Sequence, residues 1–333
     1  MFYFRGMSFL SLSGISKKQN DQYSVRDINF TQQYLQRLAI AGETGSGKTT
    51  LLKMIAGWIQ PDEGEILFNG ERIRGPQEQL IAGKKEIAYL SQNFELRNNY
   101  RVQEILEYAN ELSASEALTL YKVCRIDHLL QRRTDQLSGG EKQRIALARL
   151  LTGAPRLLLM DEPFSNLDWG HKSIIKSVIE DIGTKLNITC MLVSHDAQDL
   201  LGWAATILVM KEGVVIQQGS PEEVYRKPIN VYCAELFGAY NVIDTSPASV
   251  FASILNGAWK DKQLIVRPGQ IKMMPSSDNA LTGIVQRVIF LGNYYIAELL
   301  VGQEVILAQT DNSHLIKGDI VYLTISSLEG GRI

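Results

Sequence analysis

Short apolar runs alternate with stretches of helical period from residue 8 to about residue 240, and this pattern predicts an α/β domain with a parallel sheet. Leu38-Ala-Ile-Ala running into Gly42 reads as a buried strand. Lys48 to Trp58 follows as a helix, with Leu51, Leu52, Ile55 and Ala56 on one apolar face and with Pro61 and Gly64 as the expected breaks. Glu65 to Gly70 reads as an outer strand that ends in a turn. Arg101 to Cys124, which contains neither Pro nor Gly, predicts a helical insertion within a helical subdomain over about residues 95–150. Arg156 to Asp161 and Thr189 to Ser194 are apolar runs of parallel-strand type, the first ending on an acid and the second followed by His195. Ligands of open α/β sheets collect beyond the carboxyl ends of the strands, so Gly42, Asp161 and His195 are expected to converge.

The character changes after about Tyr240. Segments around Leu264–Val266, Thr282–Phe290, Tyr294–Leu300, Glu304–Ala308 and Ile320–Ile325 are short and rich in Val, Ile and Tyr, with turns at Gly292-Asn293 and Gly302-Gln303. They predict a second, all-β domain over residues 241–333, a small barrel or sandwich. Residues 1–7 are expected to be an N-terminal extension, with Met7 as an alternative start directly before a strand-like run.

Gly42-Glu43-Thr44-Gly45-Ser46-Gly47-Lys48-Thr49-Thr50 fits the pattern of a phosphate-binding loop between a strand and a helix. Its glycines let backbone N–H groups converge on phosphate oxygens, and the helix that follows adds a favourable dipole. Lys48 is expected to hold the β- and γ-phosphates and Thr49 to bind Mg²⁺ through its hydroxyl. Asp161 and Glu162 supply two carboxylates with different expected roles, Asp161 in the Mg²⁺ shell and Glu162 polarising an attacking water. Leu137-Ser-Gly-Gly-Glu141 reads as a helix start, with Ser138 as cap and Glu141 completing a capping box; it is either a well-capped helix and no more, or an anion site at a helix N-terminus.

With 34 basic and 36 acidic residues in 333, the formal charge of −2 gives no electrostatic footprint for nucleic acid. Cys124, Cys190 and Cys233 have neither metal-ligand spacing nor an even-numbered disulfide frame, and are expected to be buried and reduced. No apolar run reaches the roughly 20 residues that span a bilayer, and the N-terminus does not read as a signal peptide.

The two glycine motifs together resemble the nucleotide-binding subunit of ATP-binding-cassette transporters, whose signature is similar to Leu137–Glu141. Further matches follow in the family's order. Gln92 in Tyr-Leu-Ser-Gln-Asn resembles the glutamine that reaches the metal and reports to the membrane partner. Ser165-Asn-Leu-Asp168 resembles the loop that crosses the dimer interface, and His195 the histidine that contacts the γ-phosphate. The stretch from Met210 to Tyr225 and the β-rich tail, with Val266-Arg-Pro268 and Gly283–Gly292, resemble the end of the cassette and the regulatory TOBE-like, OB-like barrel of bacterial importer ATPases for polyamines, iron, sugars or oxyanions.

The resemblance implies a P-loop NTPase fold with ATP and Mg²⁺ as ligands. It also implies a head-to-tail dimer in which Lys48 and Thr49 of one copy and Ser138, Gly139 and Gly140 of the other hold each nucleotide, with Asp168 at the interface. Integral membrane permease subunits and, indirectly, a solute-binding protein are the implied partners, and the cytoplasmic face of the membrane is the implied location. An exporter or lipid-transport ATPase, or a soluble cassette acting on DNA or ribosomes, are the alternatives; the β-rich tail weighs against the first and the single uninterrupted cassette against the second. Three departures stand out. Gapless counting back from Asp27 puts Gln19 where the family stacks an aromatic residue on adenine, with Tyr23 nearby as the other candidate. No proline follows Gln92 before Val102, and Arg267-Pro-Gly-Gln270 lacks the acidic residues often found after Arg-Pro.

Overall fold

The computed structural model describes residues 8–92, 96–108, 110–165, 167–246, 249–251, 254, 263–274, 280–325 and 331–332. The expected extension at residues 1–7, the stretch 93–95 after Gln92, and Asn166 of the interface loop lie outside the described residues. The chain divides into two compact units, Met1–Ser220 and Pro221–Ile333.

The first unit holds strands β1 (Leu10–Gln19), β2 (Gln22–Gln32), β3 (Leu38–Ala41), β4 (Glu63–Phe68), β5 (Glu71–Arg72), β6 (Ile87–Leu90), β7 (Leu157–Asp161), β8 (Thr189–Ser194), β9 (Thr206–Lys211) and β10 (Val214–Gly219). Its helices are α1 (Lys48–Ile55), α2 (Val102–Glu107), α3 (Ala114–Val123), α4 (Gly139–Leu151), α5 (Trp169–Lys185) and α6 (Gln198–Leu201). Six strands form the main sheet in the order β10-β9-β3-β8-β7-β6, parallel except for the β9–β10 edge. Strands β3, β7 and β8 are buried at every position, as continuous apolar runs in a sheet covered on both faces require. The register pairs Ala41 with Ser194 and Asp161 with Val193, so the three carboxyl ends finish level. A second, antiparallel sheet has the order β2-β1-β4-β5. Leu10, Ile28 and Phe68 from it, Leu51 and Leu52 from α1, and Ile40 and Met191 from the main sheet share one core.

Helix α1 stops at Ile55, well before Pro61. Gly57, at φ +75°, closes it: Trp58 N donates to Lys53 O at 2.8 Å and Gly57 N to Met54 O at 3.0 Å. This pair of bonds is the Schellman arrangement, which satisfies the last carbonyls and needs a left-handed residue just past the cap. The helical insertion contains α2 and α3. Ser113 and Glu116 cap α3 reciprocally, with Ser113 N donating to Glu116 Oε2 at 2.9 Å.

The second unit contains α7 (Pro221–Arg226), α8 (Val231–Leu236), β11 (Asn241–Asp244), β12 (Gln263–Val266), β13 (Ile271–Met274), β14 (Leu281–Phe290), β15 (Tyr295–Val301), β16 (Glu304–Thr310), β17 (Ile320–Ile325) and β18 (Gly331–Arg332). Its strands make an antiparallel five-stranded sheet, β13-β17-β14-β15-β16, and a three-stranded one, β11-β12-β18. The edges β13 and β16 pack on each other, curling the larger sheet around a core that includes Val285, Leu299, Ile306 and Leu323. All five β segments expected of the tail are present as strands.

Residues 221–240 pack with this unit, so the compact division falls ahead of the boundary expected near 240. The cause is Arg267, directly after β12. Its Nε donates to Tyr225 O at 3.0 Å, and its Nη1 to Ala234 O, Gly238 O and Ala239 O at 2.9, 3.0 and 3.1 Å. The guanidinium also lies 4.3 Å from the Tyr225 ring centroid. A buried cation that reaches carbonyls through Nε and Nη1 fixes the chain that supplies them, even though its Nη2 has no hydrogen-bond partner.

Cys124, Cys190 and Cys233 are buried and not disulfide-bonded, and burial pushes the Cys124 and Cys190 thiols up to about 12. Among the described residues no helix is long and apolar enough to cross a membrane.

Candidate functional site: a nucleotide cradle at the strand ends

The glycine loop leaves β3 and enters α1 with Gly47 as the N-terminal cap at φ +98°. The backbone of β2 lies directly on this glycine: a Cβ built there would stand 2.2 Å from Ser24 O and 3.4 Å from Val25 Cγ2. Gly213 N donates to Ser46 O at 3.1 Å, and Arg26 N to Gly213 O at 2.8 Å, so loop and second sheet are tied together.

Lys48 is buried at the foot of the loop. Its ammonium donates to Gly42 O at 2.8 Å, to Glu43 O at 2.7 Å and to Ser46 Oγ at 3.3 Å. Burial pushes its pKa below the ordinary lysine value, against the opposing pull of Glu162, Asp161 and Glu43. A desolvated cation under a glycine-lined turn favours an anion. Glu43, Thr44 and Gly45 form the exposed crest of the loop, and Thr50 is half-buried.

Thr49 Oγ1 donates to Asp161 Oδ1 at 3.1 Å, which brings the two expected metal ligands together. A hydroxyl and a carboxylate are the hard oxygen donors that Mg²⁺ takes. Both line a cavity of about 520 Å³ with Gln92, Ser91, Tyr89, Lys53, Trp58 and Ile59, so the residues present fit a small divalent cation with room for its waters.

Glu162 follows β7 with φ +53°, a conformation that costs an ordinary residue of order 1 kcal/mol or more and that clusters at functional sites. Its N–H continues the ladder to Val193 O at 3.0 Å, and Ser165 Oγ and N hold its carbonyl at 2.9 and 3.2 Å. Burial raises the Glu162 pKa, with His195 and Lys48 pulling the other way. His195 Nδ1 lies 2.8 Å from Glu162 Oε2; with the carboxylate ionised, Nδ1–H is the donor. Gly42, Lys48, Thr49, Asp161, Glu162, His195 and Gln92 thus gather beyond the ends of β3, β7, β8 and β6, as the strand pattern predicts.

The Ser138–Gly140 turn is elsewhere. No residue of it lines the Thr49–Asp161 cavity. Ser138 caps α4, accepting from Glu141 N at 3.3 Å, while Ser138 N donates to Glu141 Oε2 at 2.8 Å, the expected capping box. Asp168 caps α5: its Oδ1 accepts from His171 N at 2.9 Å and its Oδ2 lies 2.7 Å from His171 Nδ1. The His171 ring lies against Gly140, so the turn before α4 and the start of α5 meet through one imidazole that has no part in the sequence-based expectations.

Of the two candidate base-stacking residues, Gln19 is at the tip of the β1–β2 hairpin, paired with Gln22. Tyr23 directly precedes the Ser24–Val25 backbone that covers Gly47. Its exposed ring carries Lys18 Nζ at 4.8 Å and Arg26 Cζ at 5.5 Å from the centroid. The Tyr89 hydroxyl, also unforeseen, donates to Asp161 Oδ2 at 2.8 Å.

This arrangement has close relatives. The family model of the ABC transporter matches residues 25–165, and that of the TOBE domain matches residues 264–327. The spermidine/putrescine import ATP-binding protein PotA of Clostridium acetobutylicum is 29% identical over 334 residues, covering 95% of this chain and 94% of that protein. The Fe(3+) ions import ATP-binding protein FbpC 1 of Rhodococcus jostii is 33% identical over 305 residues, 88% of this chain and 86% of that one. Among solved structures, cbiO1 of Clostridium perfringens, described as part of the ABC transporter complex cbiONQ, superposes with a TM-score of 0.59 at 27% identity over 65% of this chain and 90% of that one. With a cassette and a TOBE domain in one chain, and nearly full-length similarity to import ATP-binding proteins, the chain belongs to the ABC transporter family as an ATP-hydrolysing, nucleotide-binding subunit.

Proposed function

We propose that this chain drives solute uptake: two copies bind two ATP molecules head to tail, close, hydrolyse and reopen, and integral membrane permease subunits at the cytoplasmic face convert the cycle into import. The observation that carries this reading is the half-site. One chain brings the glycine loop, the bonded Thr49–Asp161 pair and the Glu162–His195 pair to the strand ends, yet its own Ser138–Gly140 turn does not line that cavity. The relatives named are import proteins, and cbiO1 is part of a transporter complex. One of those relatives is named for polyamines and the other for ferric ions at similar identity, so no solute follows from the comparison.

In this reading the Lys48 ammonium exchanges the carbonyls of Gly42 and Glu43 for β- and γ-phosphate oxygens. Thr49, Asp161 and Gln92 would hold Mg²⁺, which supplies charge neutralisation on the phosphates when bound. Glu162 accepts a proton from the attacking water, and its burial, which raises its pKa, makes the carboxylate a stronger base than a solvated one. His195 donates Nδ1–H to Glu162 and leaves Nε2 for the γ-phosphate. Tyr23, beside the cradle, stacks on the base, and Asp168 positions the turn that crosses to the other copy.

Glu162→Gln is the test. It is expected to keep ATP binding, to lower turnover by roughly 10²–10⁴-fold, and to shift the protein to a dimer in ATP during size-exclusion chromatography. Membranes solubilised gently from the native host should yield a polytopic permease with the tagged chain. Normal hydrolysis by the variant would remove Glu162 from its role, and recovery of ribosomes or nucleic-acid enzymes alone would refute the import reading.

A further inference from the structure

Strand β6 pairs with β7 so that Tyr89 sits opposite Leu159, two residues before Asp161. From there its hydroxyl reaches Asp161 Oδ2 at 2.8 Å, in a buried contact, while Oδ1 of the same carboxylate takes the Thr49 hydroxyl at 3.1 Å. Each oxygen of Asp161 therefore has its own donor from a different element, β6 on one side and α1 on the other. Rotation of the carboxylate would break both bonds. The Tyr89 ring is itself held, edge-on to Trp58 with centroids 4.8 Å apart. Three residues further along the same chain is Gln92, which with Tyr89 and Asp161 lines the 520 Å³ cavity.

We infer that Tyr89 is a positioning residue for the metal site: by donating to Asp161 Oδ2 it fixes the carboxylate so that Oδ1 and Thr49 Oγ1 face a divalent cation as a preset pair, and it links that cation's affinity to the β6 end that carries Gln92. This rests on the ATPase reading above and extends it to a residue that acts through Asp161. Partners that orient a metal-ligating side chain are worth about 10–100-fold in metal affinity. The effect belongs to the metal alone. Lys48 and the loop amides hold phosphate without passing through Asp161, so nucleotide affinity in chelator is set independently.

The experiment uses the full chain and its Tyr89→Phe variant, which removes one oxygen and keeps the ring against Trp58. Binding of a fluorescent ATP analogue is titrated with Mg²⁺, then repeated in EDTA, and Mn²⁺ bound in the presence of ATP is followed by electron paramagnetic resonance. The expected result is a rise of about tenfold in the Mg²⁺ and Mn²⁺ half-saturation concentrations, with affinity in EDTA unchanged and a cooperative melt retained at a somewhat lower midpoint, because one buried hydrogen bond is lost. Tyr34→Phe, which removes a phenol oxygen that donates to Asn187 O at 3.0 Å and lines no part of this cavity, should keep the parent metal curve. An unchanged metal curve in Tyr89→Phe overturns the inference, and so does a parallel loss of affinity in EDTA, which would mark Tyr89 as merely structural. If the parent chain binds the analogue with no metal dependence, the ATPase reading of the Thr49–Asp161 pair fails first.

Discussion

Gly45 and Gly47 look alike in the sequence of the phosphate loop, and the structure separates them. Both have positive φ, +88° and +98°, so an alanine at either position carries backbone strain of about 1–3 kcal/mol. A Cβ on Gly45 meets nothing within 4 Å. A Cβ on Gly47 would stand 2.2 Å from Ser24 O, and that carbonyl would have to retreat by roughly 1 Å or more to reach ordinary contact. It cannot do so freely, because the next amides along β2 are anchored: Arg26 N donates to Gly213 O, and Gly213 N to Ser46 O of the loop itself. Overpacking of this kind adds about 1–3 kcal/mol. Gly47→Ala should therefore destabilise the cassette by about 1–3 kcal/mol more than Gly45→Ala, the excess confined to β2 and the loop. Amide hydrogen exchange reads the difference directly, as faster exchange at Arg26 and Gly213 by about 5–150-fold in Gly47→Ala relative to Gly45→Ala. Equal exchange in the two variants would show that Ser24 yields without cost, and the rigid docking of β2 on the loop would be refuted.

Two further outcomes follow from buried charges. The folded-state pKa of Glu162 is raised mainly by burial, so the folded protein prefers the protonated acid; that contribution to stability is present below the unfolded carboxyl value of about 4.3 and is lost as pH rises through the folded value. Glu162→Gln should melt at higher temperature than the parent at pH 7, with the advantage vanishing below about pH 4, and the acid limb of parent ATP hydrolysis should lie above the ordinary carboxylate range; a variant no more stable at pH 7 would count against net desolvation of Glu162. Arg267→Met orphans the carbonyls of Tyr225, Ala234, Gly238 and Ala239, at a net cost of roughly 3–5 kcal/mol. Limited proteolysis should then cut between 221 and 240 in the variant and in Arg267→Lys, which lacks the planar fork; resistance equal to the parent would mean that the segment is held by other contacts.

The chemistry of the cradle was legible because it is local. A strand, a glycine turn and a helix occupy consecutive residues, and the capping box of Ser138 and Glu141 needs only three residues of spacing. What escaped was set by pairing across the fold. Pro61 is the stronger breaker in the sequence, but the Gly57 cap completes its bonds first. Counting back from Asp27 without gaps reached Gln19, and that count ignores the irregular register of β1 on β2 between Leu12 and Lys18. Each irregularity shifts which residues stand opposite, and the docking of Ser24 and Val25 on Gly47 leaves Tyr23 beside the loop. Arg267 read as a tail residue because its four carbonyl partners lie some thirty to forty residues earlier. Tyr89 and His171 sit in an apolar run and on a polar helix face, and no local pattern distinguishes either from an ordinary core or surface residue.

The separation of the two glycine motifs has a consequence for control. The first turn of α4 points unsatisfied backbone N–H groups and the positive end of a 13-residue helix at whatever lies before Ser138. Ser138 and Glu141 satisfy two of those donors internally, and Gly139 remains exposed with open space around it. That leaves an anion-seeking surface that its own chain does not fill, alongside a cradle whose lysine spends its donors on loop carbonyls. Each half supplies what the other lacks, phosphate on one side and helix N–H groups on the other. Asp168 and His171 join the α5 cap to the α4 turn, so closure on a second copy in the proposed cycle would load both together. In the proposed cycle a chain divided in this way binds nucleotide alone and positions it for hydrolysis only with a second copy, which would couple turnover to whatever brings the two copies together.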